Sequence, residues 1–236
     1  MLCKIADLIT EIPQAGGMAS RCREYLYSTE MPPDIVIHSE EYQNSKHRSQ
    51  CTEEMLAYMG SGKQFYSKLL DYNGFYIHAS TVVLDGKAYL FSGRSTAGKS
   101  THTRLWQQVF GPAARVINDD KPALRRIDGV WYAYGTPWCG KDGINLNERA
   151  PVAGVCFMKK APDNRIRRLT KTEALQKILG QTIRKSLSLE QLDRLLTALD
   201  DFLRTIPVYE LENRPEPEAA RLSYETMRAG AEEAGL

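Results

Sequence analysis

Eight consecutive residues have the pattern of a phosphate-binding loop. The pattern Gly-x-x-x-x-Gly-Lys-Ser is formed by Gly93, Arg94, Ser95, Thr96, Ala97, Gly98, Lys99 and Ser100, and Thr101 follows. Its glycines permit backbone angles that turn successive N–H groups toward one anion, and a following helix adds the positive end of its dipole. We expect Lys99 to reach the β- and γ-phosphates of ATP and the Ser100 hydroxyl to bind Mg²⁺. Residues 93–101 are therefore predicted to bind the nucleotide.

Two adjacent carboxylates follow the loop. A predicted short strand at residues 114–117 precedes Asp119 and Asp120. A phosphoryl-transfer site needs one carboxylate for the metal and often another for the attacking hydroxyl. Adjacent strand residues point to opposite faces, so both aspartates can serve one site only if the chain turns there, which Pro122 favours. The alternative is an Asp-rich turn that exposes both side chains to solvent.

The strand that enters the loop belongs to a predicted hairpin. Asp85-Gly86 separates two β-prone runs, and Asp128-Gly129 does the same further along the chain. Asp-Gly between such runs is the strongest short-range hairpin signal. Ordinary phosphate-loop folds instead reach this strand through a long crossover in a parallel sheet. We therefore predict an α/β fold with a mixed, largely antiparallel sheet around the loop, including a buried strand at residues 154–158.

The regions on either side of the predicted strands differ in composition and in predicted secondary structure. Residues 1–70 are polar and rich in Pro and Gly, so we interpret them as a small accessory segment. Within it, residues 53–70 are predicted to form two short helical pieces, because Gly60 and Gly62 interrupt the apolar pattern. Residues 71–236 are predicted to form the phosphate-loop domain. Its last part is predicted to be mainly helical, because two Ser/Thr-x-x-Glu/Gln capping patterns precede apolar residues at helical spacing.

His78, the Asp-Gly hairpin, the phosphate loop and the aspartate pair together resemble the catalytic core of the HPr kinase/phosphorylase family. That family shares its nucleotide-binding fold with phosphoenolpyruvate carboxykinases, and the resemblance covers residues 75–158. It implies that Asp120 takes the proton from the acceptor hydroxyl. It further implies that Asp119 assists with the metal or with His78, so that Ser100 and Asp119 are the expected metal ligands. Because HPr kinases are oligomers, self-association is also implied.

One segment departs from that family. The signature with which HPr kinases engage the HPr protein has no match, and a loop from Gly135 to Lys141 stands in its place. In one interpretation Lys141 is a second cationic contact to the nucleotide, and Gly135 and Gly140 allow a close approach. In the other, the loop is a tight turn that packs Trp138 into the core. The resemblance is therefore to a branch that lacks the HPr-recognition signature.

Composition excludes several other classes. The chain has 236 residues, with 31 basic and 29 acidic side chains and a net charge of +2. This balance does not favour binding to nucleic acid or to a membrane surface. The five cysteines are scattered without a CxxC pair, which argues against structural zinc. The sequence shows neither a secretion signal nor an apolar run of about 20 residues, so we expect a cytoplasmic protein with free thiols.

The combined pattern predicts an ATP- and Mg²⁺-dependent kinase that transfers the γ-phosphate to a hydroxyl. The acceptor is a serine of a protein or peptide, or a small molecule. A nucleotide-binding regulatory protein without phosphotransfer is the main alternative. Carboxykinase chemistry is a further alternative, which needs metal ligands beyond those assigned above.

Overall fold

The computed structural model describes residues 1–43, 51–140, 142–183 and 187–236. The N-terminal region forms a small three-stranded sheet beside a long helix. Its elements are β1 (Leu2–Ile5), β2 (Leu8–Glu11), α1 (Met18–Arg21), β3 (Ile35–Val36), α2 (Glu40–Gln43) and α3 (Glu53–Leu69). Strand β2 pairs antiparallel with β1 and parallel with β3. Buried side chains of this region share one hydrophobic cluster with Ala123, Tyr134 and Trp138 of the rest of the chain.

The prediction of two helical pieces at residues 53–70 is wrong, because α3 is one continuous helix. Thr52 caps it by accepting a hydrogen bond from the Met55 backbone. Gly62 lies inside the helix because Trp138 packs against it. A Cβ at Gly62 would lie 2.8 Å from Trp138 Cδ1. This glycine therefore permits a close contact, and the tertiary packing outweighs its low helix propensity.

A nine-stranded mixed sheet forms the centre of the molecule. Its strands are β4 (Gly74–Tyr76), β5 (Ala79–Leu84), β6 (Lys87–Ser92), β7 (Arg115–Asn118), β8 (Ala123–Ile127), β9 (Val130–Tyr134), β10 (Arg149–Lys160), β11 (Arg165–Arg168) and β12 (Val208–Asn213). Seven of them lie in the order β4-β8-β9-β10-β6-β5-β7, and β12 pairs with both β10 and β11. Most pairs are antiparallel, but β10 runs parallel to β6 and to β12. The fold is therefore mixed α/β.

Both predicted hairpins are confirmed. Asp85 and Gly86 have φ angles of 50° and 73°, and Asp128 and Gly129 have φ angles of 48° and 84°. Two successive positive φ angles are typical of the type I′ turn that suits the twist of paired strands. The first hairpin pairs β5 with β6, so the strand that enters the phosphate loop has an antiparallel neighbour on one side and the parallel strand β10 on the other.

Helices cover both faces of the sheet. They are α4 (Lys99–Phe110), α5 (Lys171–Leu179), α6 (Leu189–Thr205) and α7 (Pro217–Glu233). Because strand side chains alternate, Leu90 of β6 belongs to the cluster that contains α5 and α6, whereas Tyr89 and Phe91 belong to the cluster of α4 and α7. The predicted capping boxes are present at Thr170 and Ser188. None of the described helices combines the length and apolar character that crossing a membrane requires.

Candidate functional site

The predicted phosphate loop connects β6 to α4 in a strained backbone conformation. Gly93 and Gly98 have φ angles of 147° and 95°, and a Cβ at Gly93 would lie 3.1 Å from the Met158 carbonyl oxygen. Thr96 has a φ of 69°. A β-branched residue rarely adopts this left-handed conformation, which costs about 1–3 kcal/mol. The surrounding structure therefore holds the loop in a shape that its local sequence does not favour, as is common at ligand-binding loops.

The first turn of α4 presents backbone donors at the loop that have no acceptor among the described residues. The N–H groups of Lys99, Ser100 and Thr101 have no acceptor within the helix, and Gly98 provides no side-chain cap. Lys99 is half-buried, and its Nζ donates to the Gly93 carbonyl at 3.2 Å. Burial lowers the pKa of Lys99, while the charge of Asp120 acts in the opposite direction. These donors and the positive helix end form an arrangement that can bind an anion.

The chain turns immediately after β7, and Asn118 sets the turn. Its Oδ1 accepts hydrogen bonds from the backbone of Asp120 at 3.0 Å and of Lys121 at 2.7 Å. An Asn side chain that bonds the backbone two and three residues ahead stabilises such a turn. Asp119 and Asp120 consequently line one cavity. The expected turn is present, and Asn118 as well as Pro122 accounts for it.

Asp119 is largely buried, with 9% of its surface exposed to solvent. Its Oδ1 accepts a hydrogen bond from the Gly140 N–H at 2.5 Å. Burial raises the pKa of Asp119, the Gly140 N–H lowers it, and the neighbouring charge of Asp120 raises it further. The contact is close enough that a Cβ at Gly140 would lie 2.9 Å from Asp119 Oδ2. Gly140 therefore positions this carboxylate.

Asp120 accepts three hydrogen bonds from side chains. Its Oδ1 lies 2.9 Å from His78 Nε2, and its Oδ2 accepts from the Tyr58 hydroxyl at 2.6 Å and from Lys121 Nζ. Burial raises the pKa of Asp120, but the His78 hydrogen bond and the Lys121 charge outweigh it and hold the pKa well below its usual range. Asp120 is therefore ionised at neutral pH. The structure places His78 against Asp120, not against Asp119.

One cavity of about 380 Å³ brings most of the predicted site residues together. Those in its lining are His78, Ser95, Thr96, Gly98, Lys99, Ser100, Thr101, Asp119 and Asp120. Gly93, Arg94 and Ala97 line a neighbouring cavity on the other side of the loop. We call the first of these the phosphate cavity. The predicted contact Lys141 lies outside the described residues.

Trp138 packs in the core, as the second interpretation of the Gly135 to Lys141 loop expects. It is fully buried and stacks on Phe65, with ring centroids 4.6 Å apart. Its indole N–H donates to Ser61 of the same helix at 3.0 Å. The loop after β9 is thereby attached to α3. Gly140 belongs to the same loop, so the attachment helps to hold Gly140 beside Asp119.

Three residues of the site were not predicted from the sequence. Tyr58 and Lys121 bond Asp120, and Asp142 lines the phosphate cavity and pairs with Arg104 at 2.6 Å. Lys121 directly follows the aspartate pair in the sequence, so its contact with Asp120 could have been predicted. Tyr58 lies in the region interpreted as accessory, and no local pattern connects it with Asp120.

A groove meets the phosphate cavity at Asp120. It has a volume of about 370 Å³, and Asp120 and Gly140 line both spaces. Arg21 of α1 forms part of its wall, lies 4.9 Å from the centre of the Tyr58 ring and donates to the Cys139 carbonyl at 3.3 Å. We call this space the outer groove. It gives a route from solvent to the Asp120 carboxylate.

The residues present fit a nucleotide-bound Mg²⁺. The Ser100 hydroxyl and the Asp119 carboxylate line the same cavity, and Mg²⁺ in phosphate-binding sites commonly takes one or two protein oxygen ligands besides phosphate and water. The described part of the chain contains no cluster of three or more His, Cys, Asp or Glu side chains arranged to hold a metal.

Comparison with known proteins gives similarities to solved structures only, and these are distant. No protein-family model matches the chain, and no curated protein matches it significantly. Among solved structures, the Hpr(Ser) kinase/phosphatase from Coxiella burnetii is similar over 67% of this chain and 93% of its own, with 14% sequence identity and a TM-score of 0.39. A similarity at this level is distant and leaves the family of the chain unassigned.

Proposed function

We propose that this protein is an ATP- and Mg²⁺-dependent phosphotransferase that acts on a hydroxyl acceptor. One observation carries the proposal: Lys99 and Ser100 line the same 380 Å³ cavity as Asp119 and Asp120. Phosphoryl transfer needs a phosphate cradle, a metal ligand and a carboxylate for the nucleophile within reach of one another. These four residues supply the three parts.

The loop would bind the triphosphate through its backbone. The N–H groups of the first turn of α4 and the Lys99 ammonium would contact the phosphate oxygens. Lys99 Nζ now bonds the Gly93 carbonyl, and a phosphate is a stronger partner for an ammonium than a carbonyl is. Mg²⁺, held by Ser100 and Asp119, would supply charge neutralisation to the β- and γ-phosphates.

The transfer step follows from the position of Asp120. The acceptor oxygen attacks the γ-phosphorus, the bond from that phosphorus to the β–γ bridging oxygen breaks, and ADP leaves. The acceptor hydroxyl proton passes to the Asp120 carboxylate. The low pKa of Asp120 makes it a weak base, but a loose phosphoryl-transfer transition state needs mainly orientation of the nucleophile. His78, Tyr58 and Lys121 hold the Asp120 carboxylate, which would orient the acceptor hydroxyl.

The acceptor would approach through the outer groove. Residues of α1 and α3 line this groove together with Asp120, whereas residues of the phosphate loop line the phosphate cavity, which also contains Asp120. The lining of the outer groove combines the Met55 side chain with the charged Arg21 and Glu54. The N-terminal region would thus contribute to acceptor recognition, in addition to its packing role.

Two substitutions test the proposal. Lys99→Met should weaken binding of Mg·ATP at least tenfold by calorimetry, because it removes a charged phosphate contact. Asp120→Asn should bind Mg·ATP within about threefold of the parent, yet lose about 100-fold or more in transfer of labelled phosphate. Lys87→Met, at the start of β6, is the matched control for the lysine variant.

The acceptors in this assay are water, free L-serine and a mixture of serine-containing peptides. Turnover by Lys99→Met at the parent rate would refute the mechanism. If the parent and Asp120→Asn both bind nucleotide and neither transfers phosphate to any of these acceptors, a nucleotide-binding regulatory protein becomes the better description.

A further inference from the structure

Arg21 is the one cationic side chain among the described residues that line the outer groove. Its side chain is 25% exposed, so part of it faces solvent. Its Cζ lies 4.9 Å from the centre of the Tyr58 ring, and its Nη1 donates to the Cys139 carbonyl at 3.3 Å and to the Cys139 sulfur at 3.2 Å. Asn145 Nδ2 donates to the Arg21 carbonyl at 3.0 Å. Contacts of both the side chain and the backbone therefore hold Arg21 in place at the groove.

Part of the Arg21 guanidinium is available to a ligand. A guanidinium has five N–H donors, and among the described residues only Nη1 has an acceptor within hydrogen-bond distance. Glu54 is paired with Arg21 loosely, because its Oε1 lies 3.9 Å from Nη2 and its side chain is 65% exposed. Burial raises the pKa of Cys139, so the thiol keeps its proton and adds no negative charge. Arg21 can therefore offer both charge and N–H donors to an anion in the groove.

The charge of Asp120, at the other end of the groove, is already balanced. Lys121 Nζ donates to its Oδ2, and His78 Nε2 lies 2.9 Å from its Oδ1. An acceptor with a negative charge would therefore not face an unopposed carboxylate there. Its hydroxyl is expected at Asp120 and its anionic group at Arg21.

The distance between Arg21 and Asp120 limits the size of such an acceptor. The Cys139 carbonyl oxygen lies 3.3 Å from Arg21 Nη1 and 3.1 Å from the Tyr58 hydroxyl. That hydroxyl lies 2.6 Å from Asp120 Oδ2, so Nη1 and Oδ2 can be no further apart than these three distances together. An acceptor that bonds both groups uses about 2.5–2.9 Å of this span at each end. A few ångströms then remain between its hydroxyl and its anionic group.

We propose that the outer groove selects acceptors in which a carboxylate lies close to the reacting hydroxyl, with Arg21 binding the carboxylate and Asp120 the hydroxyl. This inference rests on the proposed function and names the class of its acceptor. The short span fits a small hydroxy acid such as serine, either as the free amino acid or at the C-terminus of a polypeptide. A serine within a chain has a neutral amide in place of the carboxylate, and charge-assisted hydrogen bonds are roughly twice as strong as neutral ones.

Three acceptors test this selectivity on the full chain with labelled Mg·ATP: L-serine, N-acetyl-L-serine and N-acetyl-L-serinamide. The second reproduces a C-terminal serine, and the third reproduces a serine within a chain. The parent protein should give a kcat/KM at least tenfold higher for N-acetyl-L-serine than for N-acetyl-L-serinamide, because only the former has the carboxylate. Comparison of L-serine with N-acetyl-L-serine distinguishes the free amino acid from the end of a polypeptide.

Variants at Arg21 and Glu54 should act in opposite directions. Arg21→Gln should lower kcat/KM for both carboxylate acceptors at least tenfold, mainly through a higher KM, and leave N-acetyl-L-serinamide within twofold. A merely structural role of Arg21 would lower all three together. Glu54→Gln removes a competing partner of Arg21, so it should raise kcat/KM for the carboxylate acceptors about twofold. Arg23→Gln, at an exposed position two residues along the chain, is the matched control.

The outcomes separate this inference from the proposed function. Equal kcat/KM values for N-acetyl-L-serine and N-acetyl-L-serinamide in the parent protein would overturn the inference while phosphate transfer stands, and this comparison applies even if Arg21→Gln folds poorly. An equal loss for the acid and the amide in Arg21→Gln, or no transfer to either carboxylate acceptor, would also overturn it. The proposed function itself fails only if phosphate reaches none of the acceptors, the serine-containing peptides included.

Discussion

The Tyr58 hydroxyl lies 2.6 Å from Asp120 Oδ2, although the two residues are 62 positions apart in the chain. Tyr58 projects from α3, and Lys121 Nζ donates to the same hydroxyl at 2.8 Å. Burial, and then the hydrogen bond to Asp120, raises the pKa of Tyr58, so the phenol keeps its proton and remains a donor. A helix of the N-terminal region therefore fixes one oxygen of the carboxylate that we assign to the acceptor hydroxyl.

Replacing Tyr58 with phenylalanine should lower phosphate transfer without lowering nucleotide affinity. The variant keeps the ring and loses one hydrogen bond to a charged acceptor, which is worth about 1.5–3 kcal/mol. Part of this free energy should stabilise the transition state, so we expect turnover to fall about tenfold. Steady-state kinetics with labelled ATP, together with calorimetry for Mg·ATP, would measure both quantities.

The control for this variant is Tyr72→Phe. The Tyr72 hydroxyl donates to the Asp34 carbonyl at 2.7 Å, away from the aspartate pair. It should transfer phosphate at the parent rate. A Tyr58→Phe variant that also did so would show that Asp120 does not need this donor.

Gly62→Ala should destabilise the protein although alanine favours a helix. The added methyl group would lie 2.8 Å from Trp138 Cδ1, so the indole or the helix must shift. Overpacking of this kind costs about 1–3 kcal/mol, more than the gain of up to about 1 kcal/mol in helix propensity. Urea denaturation would measure the loss. Met59→Ala, at an exposed position of the same helix, should change the unfolding free energy much less, and equal effects of the two variants would contradict this account.

The elements of the fold whose signals are local could be predicted from the sequence. Both Asp-Gly hairpins, the helix after the phosphate loop and the two capping boxes depend on residues within a few positions of one another. Strands β1 and β2 were not predicted, and β10 is longer than expected because it pairs with β9 at one end and with β6 and β12 at the other. Such pairing is not visible in a local pattern.

The same distinction applies to the site. The loop and the aspartate pair are each an uninterrupted stretch of sequence, so each could be recognised locally. The structure brings the two stretches to one cavity. The roles of Gly62 and Gly140 depend on Trp138 and Asp119, which lie far from them in the chain. Gly62 therefore looked like a helix breaker.

Acidification should weaken the fold partly through Glu210. Hydrogen bonding to Lys177, and the charges of Lys177 and Arg167, lower the pKa of this carboxyl despite its partial burial. A folded-state pKa below the unfolded value of about 4.3 means that the stabilisation is present above that pH and is lost as the pH falls through the folded-state value. The difference in unfolding free energy between the parent and Glu210→Gln, of the order of 1 kcal/mol at pH 6, should therefore shrink toward pH 3.

Denaturant titrations at several pH values would test this dependence. Glu225→Gln, at an exposed position of α7, is the matched control. A difference between the parent and Glu210→Gln that stayed constant from pH 6 to pH 3 would mean that the pairing of Glu210 does not contribute to acid stability.

Gly140→Ala should impair the Mg²⁺-dependent part of ATP binding. A Cβ there would lie 2.9 Å from Asp119 Oδ2, so the carboxylate must leave its present position and its 2.5 Å hydrogen bond from the Gly140 N–H. The φ angle of Gly140 is not positive, so alanine causes no backbone strain, and the effect should be confined to Asp119.

Calorimetry with ATP, once in excess Mg²⁺ and once in chelator, would isolate the effect of Gly140→Ala on the Mg²⁺-dependent part of binding. We expect the gain in affinity on adding Mg²⁺ to fall about tenfold while affinity in chelator stays unchanged, since the phosphate loop is untouched. Gly180→Ala, whose φ of −72° also permits alanine, is the control. A normal Mg²⁺ gain in Gly140→Ala would remove Asp119 from the metal site.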